Sequence, residues 1–409
     1  MPEIEDVQVS AARNIRPFLI SWSLYAVFLL FYGAMLEESA PSFDFRNFYG
    51  AGYLIRTGPE HLYDLRSQQQ VQSALVSPGE RPLPFIHPAY EALLYEPFSL
   101  LPYNRAYLVF LGFNLLLLPV GFFTSYPAFA SLIPIWQPRP GLLFFLFMPL
   151  FVALCQGQNS LLFVVLCCLA WKRFERGEPV GAGCMLGLGL FKFQLVIPLV
   201  LLCAARWGWR TVAGFAGSGT AVALVSLAIT GRQGMTSFLS LLSAASLTQD
   251  QGATARILMA IKPRAMPNIV GLLYPLTSHL SAHMAFMIVA CVSATLVAWC
   301  ILLVRRAWEE RVAFSIAVVC ALLVSYHSYV YELTLLVLPL GLLGNRVSKW
   351  TLFALYVTPS IVFWSGSRDW LFLLGLPAVW LLAGSARLVS APSLQAHVEP
   401  LADCTYGGS

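Results

Sequence analysis

Residues 181–207 read GAGCMLGLGLFKFQLVIPLVLLCAARW, and this stretch decides the fold. A single lysine, Lys192, stands between two apolar runs at 180–191 and 195–205. A helix that crosses a bilayer needs about 20 apolar residues, so each run is too short for an ordinary span. Runs of this length are typical of re-entrant segments, and glycines within them permit close helix packing. The stretch predicts two short membrane segments that flank Lys192 and Gln194.

The whole chain has the composition of a membrane protein. Of its 409 residues, 58% are hydrophobic and 11% are charged, and the mean hydropathy is +0.71. Soluble domains carry about 25% charged residues, and a single water-soluble core could not hide this apolar excess. The composition therefore predicts an all-α polytopic membrane protein, for which lipid is the second apolar solvent.

Further apolar stretches predict the rest of the membrane domain. We expect about 10–12 crossing or half-crossing elements. They lie at 17–36, 106–124, 140–154, 160–171, 180–191, 195–205, 211–230, 279–304, 312–325, 333–344, 350–364 and 370–384. Two long loops interrupt this series, at 37–105 and 231–278, and the second loop has an apolar middle.

Basic residues in the short loops predict the orientation of the chain. We expect a cytoplasmic segment at 1–16, a membrane domain at 17–388 and a disordered cytoplasmic tail at 389–409. Both long loops then lie outside, and nearly every short inner loop carries at least two basic residues. These inner residues are Arg13, Arg16, Arg139, Lys172, Arg173, Arg176, Arg206, Arg210, Arg305, Arg306, Arg311, Arg346, Lys349 and Arg387.

The first outer loop opens with FDFRNFYGAGYLIRTG at 43–58, directly after the first predicted span. Its aromatic residues recur at helical spacing, which predicts a helix at the membrane interface with Asp44 near its beginning. Asp44 is either the cap of that helix or a catalytic carboxylate, and the spacing alone does not decide between the two. Farther along, His87, Glu91 and Glu96 interrupt an apolar stretch, and we interpret them as the polar side of a surface helix.

Lys192 is the most unusual charged residue in the chain. An ammonium group at membrane depth is costly and usually faces a bundle interior or a wet cavity. The alternative is that its side chain reaches the outer interface from a short helix. We favour a functional role, in which an anionic headgroup compensates the charge.

Two other groups of residues are candidates for binding an anion. His327 and Glu332 lie at an outer membrane boundary among tyrosines, which are either an ordinary interfacial belt or part of a phosphate site. Arg256, Lys262 and Arg264 form a basic patch beside an apolar run. This patch either holds an anionic headgroup or is a solvated face of the loop.

The nine cysteines show no pairing that indicates chemistry. Eight of them lie in apolar runs, where cysteine usually acts as a small buried hydrophobe. The chain contains no CxxC pair, no cysteine and histidine cluster with metal-ligand spacing, and no glycine-rich nucleotide loop. We expect no cofactor, no metal requirement and no nucleic-acid partner.

The order of these segments resembles glycosyltransferase family 87. The resemblance covers roughly residues 40–345. It rests on FDFRNFYGAGYLIRTG (43–58), HPAYEALLYEPFSLLPYNRAYLVFLGFNLLLL (87–118), GQNSLLFVVL (157–166), GAGCMLGLGLFKFQLVIPLVLL (181–202), MPNIVGLLYPL (266–276) and SYHSYVYELTLLVLPL (325–340). The sequence departs from the family pattern at Glu332, where we expect aspartate, and at HPAYEALL, where the family tends toward a tyrosine-proline-proline run.

The resemblance implies a GT-C-type helical bundle with a helical outer loop after the first span. It implies transfer of a sugar, mannose in the first place, from a polyprenyl-phosphate donor to a lipid or glycan acceptor. The reaction would take place at the outer face of a bacterial cytoplasmic membrane. Asp44 matches the position of the family's catalytic base, and the donor-phosphate and substrate-binding candidates are Lys192, His327, Arg256, Arg264, Gln158, Asn159, Tyr49 and Glu332.

A transporter or flippase for lipid-linked sugars is the alternative function. A transporter predicts charges near the membrane midplane and matched broken helices in two halves of the chain. Lys192 stands nearly alone in the apolar runs, and the sequence shows no second half.

Overall fold

The computed structural model describes residues 2–35, 43–78, 83–124, 147–247, 262–364 and 368–390. All regular secondary structure in these ranges is helical. The predicted all-α polytopic class is therefore confirmed. Five stretches of the described residues have the length and apolarity to cross a membrane. These are Tyr103–Gly121, Pro179–Trp207, Trp209–Ser243, Ala282–Arg306 and Trp370–Val389.

The first helix, α1 (Pro2–Met35), is followed by a small layer of three short helices, which we call the outer layer after the membrane side that the sequence predicts for it. They are α2 (Phe45–Thr57), α3 (Leu65–Leu75) and α4 (Ala89–Tyr95), and α5 (Tyr103–Thr124) then runs back along the membrane domain. Aromatic rings form the core of this layer, for example the stacked pairs Phe48–Tyr95 and Phe45–Phe110, with centroids 4.7 and 5.0 Å apart. The long outer loop is thus a packed helical unit with its own apolar core.

Two helices meet beneath this layer at a sharp turn. The helix α6 (Met148–Cys155) runs toward the outer layer, and α7 (Ser160–Glu175) runs back from it. The turn between them is Gly157–Asn159, where Gly157 has a φ of +63°. Residues that carry a side chain rarely adopt this backbone conformation, and a Cβ on Gly157 would also collide with the Phe45 side chain. Glycine therefore allows the turn to lie directly against the first residue of α2.

The decisive stretch folds as a hairpin. It comprises α8 (Pro179–Leu188), a 3-10 turn at Gly189–Lys192 and α9 (Phe193–Trp207). Trp207 stacks on Phe174 with ring centroids 4.1 Å apart, so α9 ends on the side of the membrane domain where α7 ends and α8 begins. The two short segments predicted around Lys192 are confirmed as separate helices, and Lys192 lies at the apex between them.

The long helix α10 (Trp209–Leu247) runs parallel to α8 and then past it. The two helices touch backbone to backbone, since a Cβ on Gly183 would collide with the Thr211 carbonyl and one on Gly214 with the Val180 carbonyl. Non-helical backbone at Gly231 divides α10 where the predicted span ends. The prediction of a loop from 231 onward is wrong for its first part, because residues up to Leu247 remain helical and pack against the outer layer through contacts such as Phe238 with Tyr63.

The C-terminal part adds helices that alternate in direction. They are α11 (Ile269–Thr277), α12 (Ala282–Arg306), α13 (Glu310–Val324), α14 (Val337–Leu343, after a 3-10 segment at Val330–Leu336), α15 (Lys349–Trp364) and α16 (Gly375–Ser390, after a 3-10 segment at Arg368–Leu374). Only 11% of the most apolar window of α12 is buried, as expected for a helix that faces lipid. In contrast, α13 is buried on all sides at the centre of the bundle.

The helix directions place the basic loops and the outer layer at opposite ends of the molecule. The helix α7 begins beside the outer layer and ends at Glu175, and α13 begins at Glu310 and ends beside that layer. The end opposite the outer layer carries exposed ion pairs, Arg173–Glu178 and Arg346–Glu309, each at 2.5 Å. The short connections that carry these pairs thus lie opposite the outer layer, and the membrane orientation derived from the basic residues stays a prediction.

Candidate active site

A polar cavity of about 180 Å³ lies between the outer layer and the hairpin apex. Its lining comes from α2, the connection before α4, the Gly157–Asn159 turn, the hairpin apex and the segment that follows α13. The polar and charged lining residues are Asp44, Asn47, His87, Gln158, Lys192, Gln194, His327 and Glu332. Of the nine site residues predicted from the sequence, Asp44, Gln158, Lys192, His327 and Glu332 are thus brought together.

Asp44 is held from across the cavity by the Gly157–Asn159 turn and the residue before it. Gln158 Nε2 donates a 2.7 Å hydrogen bond to Asp44 Oδ2, and the backbone N–H of Asp44 donates to Gln156 Oε1 at 3.2 Å. The Asp44 side chain makes no capping bond to α2. In contrast, Asp64 caps α3 by accepting from the backbone N–H groups of Arg66 and Ser67. The capping alternative for Asp44 is therefore wrong, and its carboxylate is directed to the cavity.

Lys192 and Glu332 form a buried ion pair in the wall of the cavity. Lys192 Nζ lies 2.7 Å from Glu332 Oε1, and the two side chains are 3% and 4% exposed. Ser160 Oγ donates to the other carboxylate oxygen at 3.4 Å, and the ammonium lies 5.5 Å from the centroid of the Tyr331 ring. The prediction that an external headgroup alone compensates Lys192 is wrong, because Glu332 supplies the opposite charge. Snorkelling is also wrong, since the ammonium is enclosed.

His327 faces the cavity from the connection between α13 and Val330–Leu336. Burial lowers the pKa of its imidazole to about 4, and the nearby positive charge of Lys192 adds to the effect. Its Nδ1 is buried and has no hydrogen-bond partner among the described residues. The ring is thus neutral at physiological pH and has an unsatisfied nitrogen at the cavity.

The other predicted residues that the structure describes do not line the cavity. Tyr49 belongs to the aromatic core of the outer layer and donates its hydroxyl to the Leu101 carbonyl at 2.9 Å. Asn159 is buried behind the wall and donates to Glu91 Oε1. Arg264 is exposed and lies over the Tyr274 ring, 5.5 Å from its centroid. Arg256 lies outside the described residues.

His87 and Glu91 are site residues that sequence reasoning missed. The prediction that they form the polar side of a surface helix is wrong for Glu91, which is 3% exposed, and His87 lines the cavity. His87 Nδ1 lies 2.9 Å from Glu91 Oε2. The signal that was available is the four-residue spacing of a histidine and a glutamate, which brings two side chains together at the beginning of a helix.

An apolar groove of about 280 Å³ adjoins the polar cavity. Phe193 and Leu242 line both spaces. The rest of the groove lies between α4, the hairpin and α10, and its wall includes Tyr90, Leu190, Ile197, Val222, Ala223 and Phe238. Ile197 is 54% exposed on a membrane helix, so the groove opens toward lipid.

The arrangement therefore joins three chemical elements. One is a carboxylate, Asp44, that is oriented by a hydrogen bond and can accept a proton from a substrate hydroxyl. Another is a set of nitrogen donors, including Lys192, that can stabilise negative charge on a bound substrate. The last is an apolar groove that leads from the polar cavity to the lipid.

The sequence profile of glycosyltransferase family 87 matches residues 85–326, which is more than half of the chain. The matched region contains the histidine and glutamate pair of α4, the Gly157–Asn159 turn and the hairpin with Lys192. No curated protein and no solved structure matches the chain.

Proposed function

The chain belongs to glycosyltransferase family 87, and on that premise we propose that it transfers mannose from a polyprenyl-phosphate donor. The acceptor is a lipid or a glycan at the outer face of a bacterial cytoplasmic membrane. Family membership and the apolar helices make the chain a multi-pass membrane glycosyltransferase. The donor, the sugar and the membrane face are the proposal.

Asp44 is the general base in this proposal. Its carboxylate removes the proton from the acceptor hydroxyl while the hydroxyl oxygen attacks the anomeric carbon of the donor sugar. The bond between that carbon and the phosphate oxygen breaks, and the configuration at the carbon inverts. The hydrogen bond from Gln158 supports this role, because it fixes the carboxylate at the cavity without engaging it in the helix cap.

The departing polyprenyl phosphate takes up the electron pair of the broken bond. It is already a good anionic leaving group, so it needs positive charge and hydrogen-bond donors more than a general acid. Lys192 supplies the charge from the cavity wall, and His327 can donate one N–H bond as a neutral imidazole. Arg264 and Arg256 are left as secondary candidates for contacts with the lipid phosphate at the membrane surface.

The apolar groove beside the polar cavity carries the assignment of a lipid-linked donor. A polyprenyl chain must stay in an apolar environment while its phosphate and sugar reach polar groups. The groove supports this division, since it opens to lipid and shares Phe193 and Leu242 with the cavity.

Transfer by the purified protein tests the proposal. We would reconstitute the protein in vesicles with a total membrane-lipid extract as the source of acceptors, and supply labelled mannose on polyprenyl phosphate or on guanosine diphosphate. We expect label to move to the acceptors only from the lipid-linked donor, with release of polyprenyl phosphate. Movement of intact donor across the bilayer without its consumption would contradict the proposal and identify a flippase.

A further inference from the structure

The helix α4 is docked onto the hairpin apex by three polar contacts. The Tyr90 hydroxyl accepts from the backbone N–H of Phe191 at 2.8 Å and donates to the Leu188 carbonyl at 3.0 Å. His87 Nδ1 lies 3.2 Å from the Phe191 carbonyl. Phe191 directly precedes Lys192, so His87 stands beside the residue that we assign to the donor phosphate.

The Glu91 carboxylate lies close to the same nitrogen of His87. Glu91 Oε2 lies 2.9 Å from His87 Nδ1, and its Oε1 accepts from Asn159 Nδ2 and from the Tyr95 hydroxyl. The Glu91 side chain is 2% exposed, whereas that of His87 is 20% exposed, toward the cavity. A buried carboxylate with two fixed donors cannot easily turn away from the imidazole.

The position of the ring determines which nitrogen meets a ligand. The Phe191 carbonyl can only accept a hydrogen bond, and Glu91 Oε2 lies near the same nitrogen, so the ring carries a proton on Nδ1. The rings of Phe48 and Phe85 lie against the imidazole at centroid distances of 5.5 and 5.2 Å and restrict its rotation. No hydrogen bond among the described residues engages Nε2, so this nitrogen is the one available to a ligand.

We propose that His87 Nε2 accepts a hydrogen bond from a hydroxyl of the transferred sugar and thereby helps to select that sugar. A lone pair on nitrogen binds an O–H donor and repels a phosphate oxygen. The transferred sugar is attached to the phosphate, and His87 adjoins the residue assigned to that phosphate. Glu91 is a positioning residue, which acts by fixing the tautomer of His87. This inference rests on the proposed function for the identity of the sugar donor.

The tautomer of His87 can be measured without any activity. We would record nitrogen NMR spectra of histidine-labelled protein in vesicles and assign the His87 signals by their loss in His87→Gln. His87→Phe is a second assignment variant, because it keeps a ring between Phe48 and Phe85. We expect His87 to carry its proton on Nδ1 in the wild type and to shift toward the Nε2–H form in Glu91→Gln. A wild-type His87 with its proton on Nε2 would overturn the inference.

The selection of the sugar is tested with polyprenyl-phosphate mannose and its monodeoxy analogues. We expect wild-type kcat/KM to fall about 10- to 100-fold for one deoxy donor, because a buried acceptor then loses its partner. His87→Phe should use that donor and the full donor equally well. If the wild type and His87→Phe discriminate equally against every analogue, the proposed role of His87 is contradicted while the proposed function stands. No transfer by the wild type from any lipid-linked donor would instead contradict the proposed function.

Discussion

Adjacent residues of one turn hold two carboxylates of the site. Gln158 donates to Asp44, and Asn159 donates to Glu91. The backbone of the turn is possible because Gly157 adopts a positive φ and has no side chain to meet Phe45. The same three residues therefore connect the proposed base to the buried partner of His87, so a change in the turn should disturb both.

The Lys192–Glu332 ion pair allows the structural role of Lys192 to be tested separately from its role in transfer. Lys192→Gln should destabilise the protein by about 3–5 kcal/mol, because it leaves the Glu332 carboxylate buried without its opposite charge. The double variant Lys192→Gln/Glu332→Gln should recover most of that stability, since no charge remains unpaired. Unfolding in detergent, followed by circular dichroism, measures this effect.

Transfer activity should not recover with stability in the double variant. The ammonium that stabilises the departing phosphate is still missing, and two amides cannot replace its charge. If the stable double variant transfers mannose at the wild-type rate, Lys192 has a structural role only.

The imidazole of His327 should lower the stability of the folded protein in acid. Its pKa is lowered to about 4 in the folded state by burial and by the neighbouring Lys192, whereas it is about 6.5 in an unfolded chain. The unfolded state therefore binds the extra proton first as the pH falls. Above about pH 6.5 the imidazole is neutral in both states and does not change the free energy of unfolding. Between pH 6.5 and 4 the free energy of unfolding should fall progressively, because the unfolded state is protonated first.

The comparison with His327→Gln isolates this effect from other groups that titrate in acid. The imidazole keeps some contact with solvent, so we expect the wild type to lose about 1–2 kcal/mol more than the variant over this range. Thermal midpoints at several pH values measure the difference. Parallel pH profiles for the two proteins would show that His327 does not titrate as described.

The sequence predicted individual site residues better than it predicted their partners. The resemblance to the family points to Asp44, whose position after the first span leaves a helix cap and a catalytic carboxylate equally open. Lys192 is conspicuous because a charge interrupts an apolar stretch. The pairing of Lys192 with Glu332 joins residues 140 positions apart, and no local pattern indicates it. Similarly, the buried state of Glu91 depends on Asn159, which belongs to another part of the chain.

Among the helices, the hairpin α8–α9 is the element that builds the site. Its apex carries Lys192 to the cavity, and its first helix can pack closely against α10 because Gly183 and Gly214 have no side chains. The short apolar runs predicted separate segments, and the glycines predicted a close approach. The identity of the neighbouring helix was not predictable, since glycines occur on both helices and in many of the other segments.

The apolar groove makes a prediction about the lipid chain of the donor. Ala223 lines the groove on α10, and its substitution by phenylalanine should fill part of the space. We expect KM for a long-chain polyprenyl donor to rise about tenfold, because the chain loses apolar contact worth roughly 1–2 kcal/mol. A donor with a much shorter chain should be affected less.

The neighbouring residue Leu224 provides the matched control. It is 59% exposed on the same helix and is not among the groove-lining residues. Leu224→Phe should therefore retain the wild-type KM for both donors. If Ala223→Phe and Leu224→Phe give the same KM for the long-chain donor, the groove does not hold the chain.

For the molecule as a whole, composition was the strongest predictor. The apolar excess and the low charge predicted a helical membrane protein, and the described residues confirm that class. Boundaries were less predictable, as the helical continuation of α10 beyond Gly231 illustrates. Its residues are polar on one face yet pack against the outer layer, and such tertiary contacts are invisible in a hydropathy pattern.

The outer layer and the basic loops lie at opposite ends of the molecule, which predicts one orientation in the membrane. Gln70 is exposed on the outer layer, and Ser348 is exposed at the basic end. On a background without the native cysteines, Gln70→Cys should react with an impermeant thiol reagent in intact cells, whereas Ser348→Cys should react only after the cells are opened. The opposite labelling pattern would place the cavity at the cytoplasmic face.

The rate of mannose transfer by Asp44→Asn tests the central claim most directly. The substitution keeps the shape of the side chain and its contact with Gln158 but removes the proton acceptor, so we expect the rate to fall about 10²–10⁴-fold with unchanged stability. Asp64→Asn, which changes a carboxylate in the same outer layer that caps α3, should retain nearly full activity. A folded Asp44→Asn protein that transfers mannose at the wild-type rate would contradict the assignment of Asp44 as the base.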